Sequence, residues 1–360
     1  MIIYIVAGLI VIGLVAFLLW WQKPSSILDS HFISTESQSR ERVRDLDLDR
    51  SSEDASYILD STKLVFPNSN EDADNAEWKA NPDKDWVLEL SAVNGEEFTQ
   101  KDISQLFDHD WRSRFQSMIY GCSTKESKWT LAIAGDAPES FNKLQVAIDV
   151  QDVYGVEYPI YEPMELERYC TELENRIRKY PTKLRLERNE TIESAIQKAK
   201  NLVSLHRDFS YDAIVVLKGN ARYDGIKAWD ALQSVGLEWG DGDLLHWVNK
   251  RRDYGHDKHF DVWTTSEPGY FLPEVVKDGK MNPQDLVFGF SVPRSADPIN
   301  VYDVMFNAAV YCQKRLGGQL LDKHMKHLNV ETAREEIKAI MGRMEGRGMK
   351  AGSMRALRMF

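Results

Sequence analysis

The residue types that most often carry catalysis or metal binding are present, but their spacing favours neither. His256 and His259 lie in a polar stretch with no cysteine or further histidine nearby, whereas structural zinc sites use four protein ligands. Asp241 and Asp243 belong to a Gly-Asp-Gly-Asp run, a composition that favours a tight turn over a pair of catalytic carboxylates. We therefore predict solvated loop histidines and a turn at these positions.

The sequence contains none of the common nucleotide-binding or hydrolase motifs: a Walker A loop, a GxGxxG turn, a GxSxG elbow and an HExxH helix are all missing. Cys122, Cys170 and Cys312 lie far apart and form no CxxC pair, which favours small buried thiols in a reducing compartment. We predict no catalytic residue, no metal site and no cofactor. These observations favour a binding protein. An enzyme remains the alternative if carboxylates and a histidine that are distant in sequence converge in a deep pocket.

Charge and aromatic content narrow the class of binding partner. The formal net charge of −11 and the pI near 5.3 argue against nucleic acid, which requires a basic face. Four tryptophans lie close together in the sequence: Trp229, Trp239, Trp247 and Trp263. We expect most of them in a core and one or two on an open sheet face, where they would line a peptide groove.

The first element is predicted to be a transmembrane helix within residues 1–22. Ile2 to Trp21 contains no charge and no proline, and about twenty apolar residues span a bilayer core. No Lys or Arg precedes this span, whereas Lys23 and three arginines follow it. The positive-inside rule then predicts a single-pass protein with its amino terminus outside the cytoplasm and its later domains inside.

Two polar stretches are predicted to lack a core of their own. Residues 23–85 are acidic and rich in serine, which predicts a disordered linker. The alternative is that Tyr57 to Phe66 folds onto a later domain. Residues 346–360 are basic and contain glycine, which predicts a flexible tail with at most weak affinity for anionic lipid or an acidic partner.

The remaining sequence predicts two α+β domains, residues 86–206 and 207–345. In the second, the strand Leu286–Val292 leads into a helix from Pro298 that ends at Gly317-Gly318 and is followed by a further strand. Both domains show an alternating strand, a helix start of the form [IV]-Tyr-[ED] and a Tyr-Cys pair within that helix. This pattern favours an internal duplication; the alternative is two unrelated domains of similar arrangement.

Residues 211–344 resemble the C-terminal domain of the bacterial division protein family ZipA. The resemblance is carried by GLEWGDGDLLHW, the Pro268-Gly269 turn, FSVPRSADP and GGQLLDKHMKHL. It implies a split β-α-β fold with antiparallel sheets, used twice if the first domain is a diverged copy. It also implies a cell-division role in which an exposed sheet face binds the C-terminal peptide of FtsZ and ties the division ring to the inner membrane.

The same resemblance implies the residues of a peptide groove: Ile214, Val216, Leu244, Trp263, Thr265 and Gly289. The first four would bury apolar side chains of a docked helix. Gly242 and Gly289 stand where the family has large apolar side chains, and Glu267 replaces a lysine. Phe288 and Phe290 are expected to face the core, which leaves Gly289 on the groove side.

The implied partners are the FtsZ tail peptide and the inner-membrane bilayer, with self-association left open and nucleic acid excluded. The alternative function is a bitopic membrane adaptor that binds another envelope or division protein through its first domain and makes no contact with FtsZ. Deleting residues 86–206 distinguishes the two, because only the adaptor would lose its function while retaining FtsZ binding.

Overall fold

A computed structural model describes residues 38–49, 59–66, 79–125, 127–135, 137–154, 161–180, 184–250 and 257–360. The chain divides into two compact units, one formed by residues 70–210 and one that joins residues 211–358 to the chain before residue 70. The predicted membrane span Ile2–Trp21 lies outside the described residues. Within the ranges just given, no helix is both long enough and apolar enough to cross a bilayer.

The first domain is an antiparallel sheet with helices. Its strands are β1 (Asp85–Ala92), β2 (Phe98–Thr99), β3 (Met118–Ser123), β4 (Trp129–Leu131), β5 (Ser140–Asp149) and β6 (Leu184–Arg188). Its helices are α1 (Gln100–Leu106), α2 (His109–Arg114), α3 (Val150–Tyr154), α4 (Pro163–Arg178) and α5 (Ile192–Phe209). The strand order is β4-β3-β5-β1-β6, with β2 paired to β5. Trp86, Leu88 and Leu90 alternate along β1 and are fully buried, as expected for the core face of a strand.

The second domain is also α+β. Its strands are β7 (Asp212–Lys218), β8 (Glu238–Trp239), β9 (Leu245–Val248), β10 (Lys258–Trp263), β11 (Asp285–Ser291) and β12 (Gln319–Leu321). Its helices are α6 (Gly225–Ser234), α7 (Pro273–Lys277), α8 (Pro298–Leu316), α9 (Val330–Glu345) and α10 (Met354–Met359). The strand order is β12-β7-β11-β10-β9-β8, and the paired strands are antiparallel. The predicted α+β class with antiparallel sheets is confirmed.

The two sheets share a three-strand core and differ beyond it. The first strand of each domain, β1 or β7, lies in the middle of this core. On one side it pairs with the strand that precedes the long helix, β5 or β11. On the other side it pairs with the last strand of the domain, β6 or β12. Beyond this core, β9, β10 and β11 follow one another as neighbours, whereas β4 lies outside β3 and connects back to β5. The duplication therefore stays a prediction.

The β11-α8-β12 unit forms as its sequence predicts. Pro298 occupies the first turn of α8, where its missing N–H costs no helical hydrogen bond. Met305, Ala308 and Cys312 form part of the buried stripe. Gly317 and Gly318 have φ values of +75° and +99°, and this glycine pair turns the chain so that β12 can pair with β7.

Parts of the predicted linker and tail have regular structure. Residues 38–45 are helical, and Ser61–Lys63 forms a 3₁₀ turn in which Asp60 accepts from the Thr62 N–H at 2.9 Å. The Val65 N–H donates to Asp297 at 2.9 Å, so the described part of Tyr57–Phe66 lies on the second domain, as the alternative prediction proposed. In the tail, Ser353 caps the helix α10.

The cysteines are free thiols. Cys170 and Cys312 are buried, as predicted, whereas Cys122 is half-buried. Burial raises the pKa of the Cys312 thiol to about 12, so this group stays protonated and acts as a small apolar side chain of α8.

A candidate peptide-binding sheet face

The β7-β11-β10 part of the second sheet has one face packed against α8 and a second, opposite face. The alternate positions Val215, Leu217, Phe288 and Val262 are fully buried, and α8 packs across these three strands. The intervening positions share the opposite face. We call this second surface the outer face.

An apolar row crosses four strands of the outer face. Strand register places Leu321 opposite Val216, Val216 opposite Val287, and Val287 opposite Trp263. Because neighbouring strands are about 4.8 Å apart, the row is about 14 Å long. Val216 and Val287 are only 4% and 3% exposed, whereas Leu321 and Trp263 at its ends are half-buried.

Gly289, which lies beside this row, leaves the space that the Trp263 side chain occupies. Ile214 lies opposite Gly289, and Gly289 lies opposite Asp261. A Cβ atom on Gly289 would lie 2.7 Å from Cη2 and 3.1 Å from Cζ3 of Trp263, closer than van der Waals contact allows. The indole therefore occupies space that is free only because residue 289 has no side chain. Trp263 supplies, from the neighbouring strand, bulk that β11 lacks at this point.

A buried histidine–aspartate pair lies beside Gly289 on the same face. His246 Nδ1 is 2.5 Å from the Asp261 carboxylate and His246 Nε2 is 2.9 Å from the Asp241 carbonyl oxygen, so an imidazolium can donate to both. Burial tends to raise the pKa of Asp261, but the charge and the hydrogen bond of His246 outweigh it and leave the pKa below its usual value. The pair ties the Asp241–Asp243 turn to the sheet.

The other flank of the apolar row is polar and tightly hydrogen-bonded. The carboxylate of Asp285 accepts from the Thr264 hydroxyl at 3.1 Å and from the N–H and hydroxyl of Thr265 at 2.8 and 2.5 Å. Lys218 Nζ lies 3.4 Å from the same carboxylate. These bonds fix the backbone just after Trp263, which limits the positions that its indole can adopt.

Comparison with known proteins identifies the domain that carries this face. Residues 211–339 match the family model described as ZipA, C-terminal FtsZ-binding domain. We call the second domain the ZipA-type domain after this match. Two curated relatives are both called Cell division protein ZipA. The one from Marinobacter nauticus is 25% identical over 127 residues, and the one from Shewanella loihica is 25% identical over 138 residues.

These matches cover limited parts of each protein. The aligned residues make up 34% and 36% of this chain and 37% and 38% of the two relatives, so the chain spans well under half of the relatives' length. The resemblance to ZipA is confirmed for the second domain. The family match begins at residue 211, and a second, diverged copy in residues 86–206 stays a prediction.

The ZipA-type domain brings most of the predicted groove residues together. Ile214, Val216, Trp263 and Gly289 lie on the outer face. Leu244 directly precedes β9 and is 6% exposed. The remaining predicted positions are exposed at the border of the face: Thr265, Gly242 and Glu267. Phe288 and Phe290 are buried, in agreement with the predicted core direction.

Val287 and Leu321 are outer-face residues that the sequence reasoning missed. Val287 lies two positions before Gly289, so the period-2 alternation of β11 was sufficient to find it. Leu321 joins the row only because β12 pairs with β7 at that register, a long-range fact with no local signal. His246 and Asp261 are fifteen residues apart, and their pairing was equally invisible in the sequence.

The prediction of a solvated loop histidine is wrong for His259. His259 is 5% exposed within β10 and its ring lies 4.5 Å from that of Trp247, because the strand carries it into an aromatic cluster. His256 lies outside the described residues. The predicted turn at Asp241–Asp243 is confirmed as a 3₁₀ turn. In the described part of the chain, no group of three or more His, Cys, Asp or Glu side chains could hold a metal ion.

Proposed function

We propose that the ZipA-type domain binds the C-terminal tail peptide of FtsZ as a helix on its outer face, and that the chain thereby tethers the division ring to the inner membrane. The observation that carries the proposal is the apolar row of Leu321, Val216, Val287 and Trp263 on a domain that matches the FtsZ-binding family model.

The spacing of the row fits an amphipathic helix laid across the strands. Successive turns of a helix are about 5.4 Å apart, close to the strand separation of about 4.8 Å. Apolar residues at positions i, i+3 or i+4, and i+7 would therefore each meet a different strand. Trp263 at one end supplies the large aromatic contact that often dominates such interfaces.

Membrane attachment is the second part of the proposal. It is supported by the uncharged segment Ile2–Trp21 and by the basic residues that follow it. The ZipA-type domain would then face the cytoplasm, and the amino terminus would lie in the periplasm. Neither domain is assigned an enzymatic role.

A peptide titration tests the binding proposal. A fluorescently labelled FtsZ tail peptide is titrated with the full-length chain in detergent, and fluorescence anisotropy is followed. We expect micromolar binding that weakens at least tenfold in Val287→Lys, because a charge in the middle of the row must be desolvated. Trp263→Ala should weaken it by a similar factor.

Ile226→Lys provides the matched control, since Ile226 is an apolar residue of α6 that is 37% exposed and lies outside the apolar row. It should leave the affinity unchanged. Absence of binding by the unmodified chain at high micromolar concentration would remove the FtsZ role. Normal binding by Val287→Lys and Trp263→Ala would remove the outer face as the site.

A further inference from the structure

Residues 38–49, here called the docking segment, are held on the ZipA-type domain by buried apolar contacts. Leu48 and Val43 are 1% and 5% exposed. The indole N–H of Trp229, a fully buried residue of α6, donates to the Leu48 carbonyl oxygen at 3.0 Å. The only polar group of the Trp229 side chain therefore hydrogen-bonds to a residue 181 positions earlier in the chain.

Arginines of the docking segment contact acidic residues of the same domain. Arg42 donates two hydrogen bonds of 2.6 Å to the carboxylate of Glu274, in α7. The Arg42 guanidinium also lies 5.0 Å from the ring centre of Trp239. Arg40 forms a 2.8 Å ion pair with Glu238, next to that tryptophan in β8. The hydrogen bond from Arg42 lowers the pKa of Glu274.

The charge pattern fixes the direction in which the segment lies. Its first half carries Arg40 and Arg42, which contact glutamates, and its second half carries Asp47, whose carboxylate is 3.6 Å from Lys277 Nζ. A reversed segment would place aspartates against Glu238 and Glu274. Complementary charges at both ends thus select one orientation, while Leu48 and Val43 supply the apolar contact.

We propose that residues 38–49 are a cis-acting docking segment for a surface formed by α6, α7 and β8 of the ZipA-type domain. The first domain, residues 70–210, is then an insertion between two parts of one folded unit. The docking surface is distinct from the apolar row, to which Trp229, Trp239, Glu238 and Glu274 do not belong.

Docking shortens the path from the amino-terminal part of the chain to the peptide-binding domain. If Trp21 ends the membrane span, as the proposed function assumes, only residues 22–37 separate the span from the docking segment. Sixteen residues reach at most about 55 Å. Without docking, all of residues 22–210 would separate the membrane span from the ZipA-type domain. The docking segment would therefore keep the outer face close to the bilayer.

Hydrogen–deuterium exchange on the full-length chain in detergent tests the proposal. We expect amides of residues 38–49 to be protected in the unmodified protein. In Arg42→Glu they should exchange at least tenfold faster, because two glutamates would then face each other. The double variant Arg42→Glu/Glu274→Arg should restore protection to within about threefold, which a merely misfolded variant would not do.

Arg44→Glu is the matched control, because Arg44 is exposed and has no ion pair among the described residues. It should leave protection unchanged. Unprotected amides in the unmodified chain, or normal protection in Arg42→Glu, would overturn the proposal. Protection that disappears on dilution would show docking between two copies and overturn the cis assignment. No FtsZ peptide is present, so the result is independent of the peptide titration.

Discussion

At the scale of single residues, Trp263 and Gly289 show how one strand can supply bulk that its neighbour lacks. The ZipA resemblance implied a large side chain at position 289, and its absence weakened the expected groove. In the structure the indole of Trp263 lies over that glycine. At this one position, the apolar bulk of the outer face is therefore supplied by β10 and not by β11.

The His246–Asp261 pair leads to a prediction about pH. Both groups are at most 3% exposed, and removing one member of a buried pair typically costs about 3 kcal/mol or more. Because the pKa of Asp261 is lowered in the folded state, the pair's contribution is present above about pH 4 and is lost as the pH falls through the folded pKa. Asp261→Asn should therefore cost about 3 kcal/mol of unfolding free energy at pH 7, and this difference should narrow below about pH 4.

The unfolding free energies of the unmodified chain and of Asp261→Asn are measured by urea unfolding at a series of pH values. Asp278→Asn is the control. Among the described residues Asp278 forms an ion pair only with exposed Lys280, and such surface pairs contribute little. A difference between the unmodified chain and Asp261→Asn that stays constant down to pH 3 would contradict the lowered pKa of Asp261 in this pair.

At the scale of elements, the link between α8 and β12 decides whether Leu321 reaches the apolar row. A Cβ atom on Gly318 would lie 2.4 Å from the Lys218 carbonyl oxygen and from the Tyr223 hydroxyl. The carbonyl belongs to the paired strand β7 and cannot move aside without breaking the ladder. At Gly317, by contrast, nothing lies within 4 Å of an added Cβ, and only the positive φ resists substitution.

Gly318→Ala should therefore destabilise the domain by more than about 2 kcal/mol, since overpacking adds to the strain of a positive φ. Gly317→Ala should cost about 1 kcal/mol from backbone strain alone. Urea unfolding compares the two variants. Equal losses would indicate that β12 does not approach β7 as closely as the structure has it.

At the scale of the whole molecule, the ZipA-type domain is completed by residues that precede the first domain. A fragment that starts at residue 205 lacks the docking segment and exposes the surface around Trp229 and Trp239. Because a ligand of the folded state raises the unfolding free energy by RT ln(1 + [L]/Kd), we expect a synthetic peptide of residues 38–49 at about 30 times its dissociation constant to raise that of the fragment by about 2 kcal/mol.

The measurement is the urea midpoint of the fragment with and without peptide. A peptide with Arg42→Glu is the control and should give a smaller shift, because it faces Glu274 with a like charge. If the unmodified peptide has no effect at millimolar concentration, the docking segment contributes nothing to the stability of this domain.

Local pattern predicted much of the second domain. The alternation of β11, the apolar stripe of α8 and its glycine stop arise from preferences of neighbouring residues, and the structure has each of them. The same alternation predicted that Phe288 and Phe290 would face inward. It also held enough information to place Val287 with Gly289, which the sequence reasoning did not use.

The sequence by itself determined the α+β class, the two-domain division and the ZipA resemblance, because all three rest on local periodicity and on motifs read along the chain. Only the tertiary structure decided which side chains share the outer face, since strand register joins Leu321 to Val216 and His246 to Asp261 across long separations. It alone also decided that residues 38–49 belong to the second domain. A polar, charged segment can be ordered by a surface of opposite charge and two buried side chains, and that surface exists only after the later domain has folded.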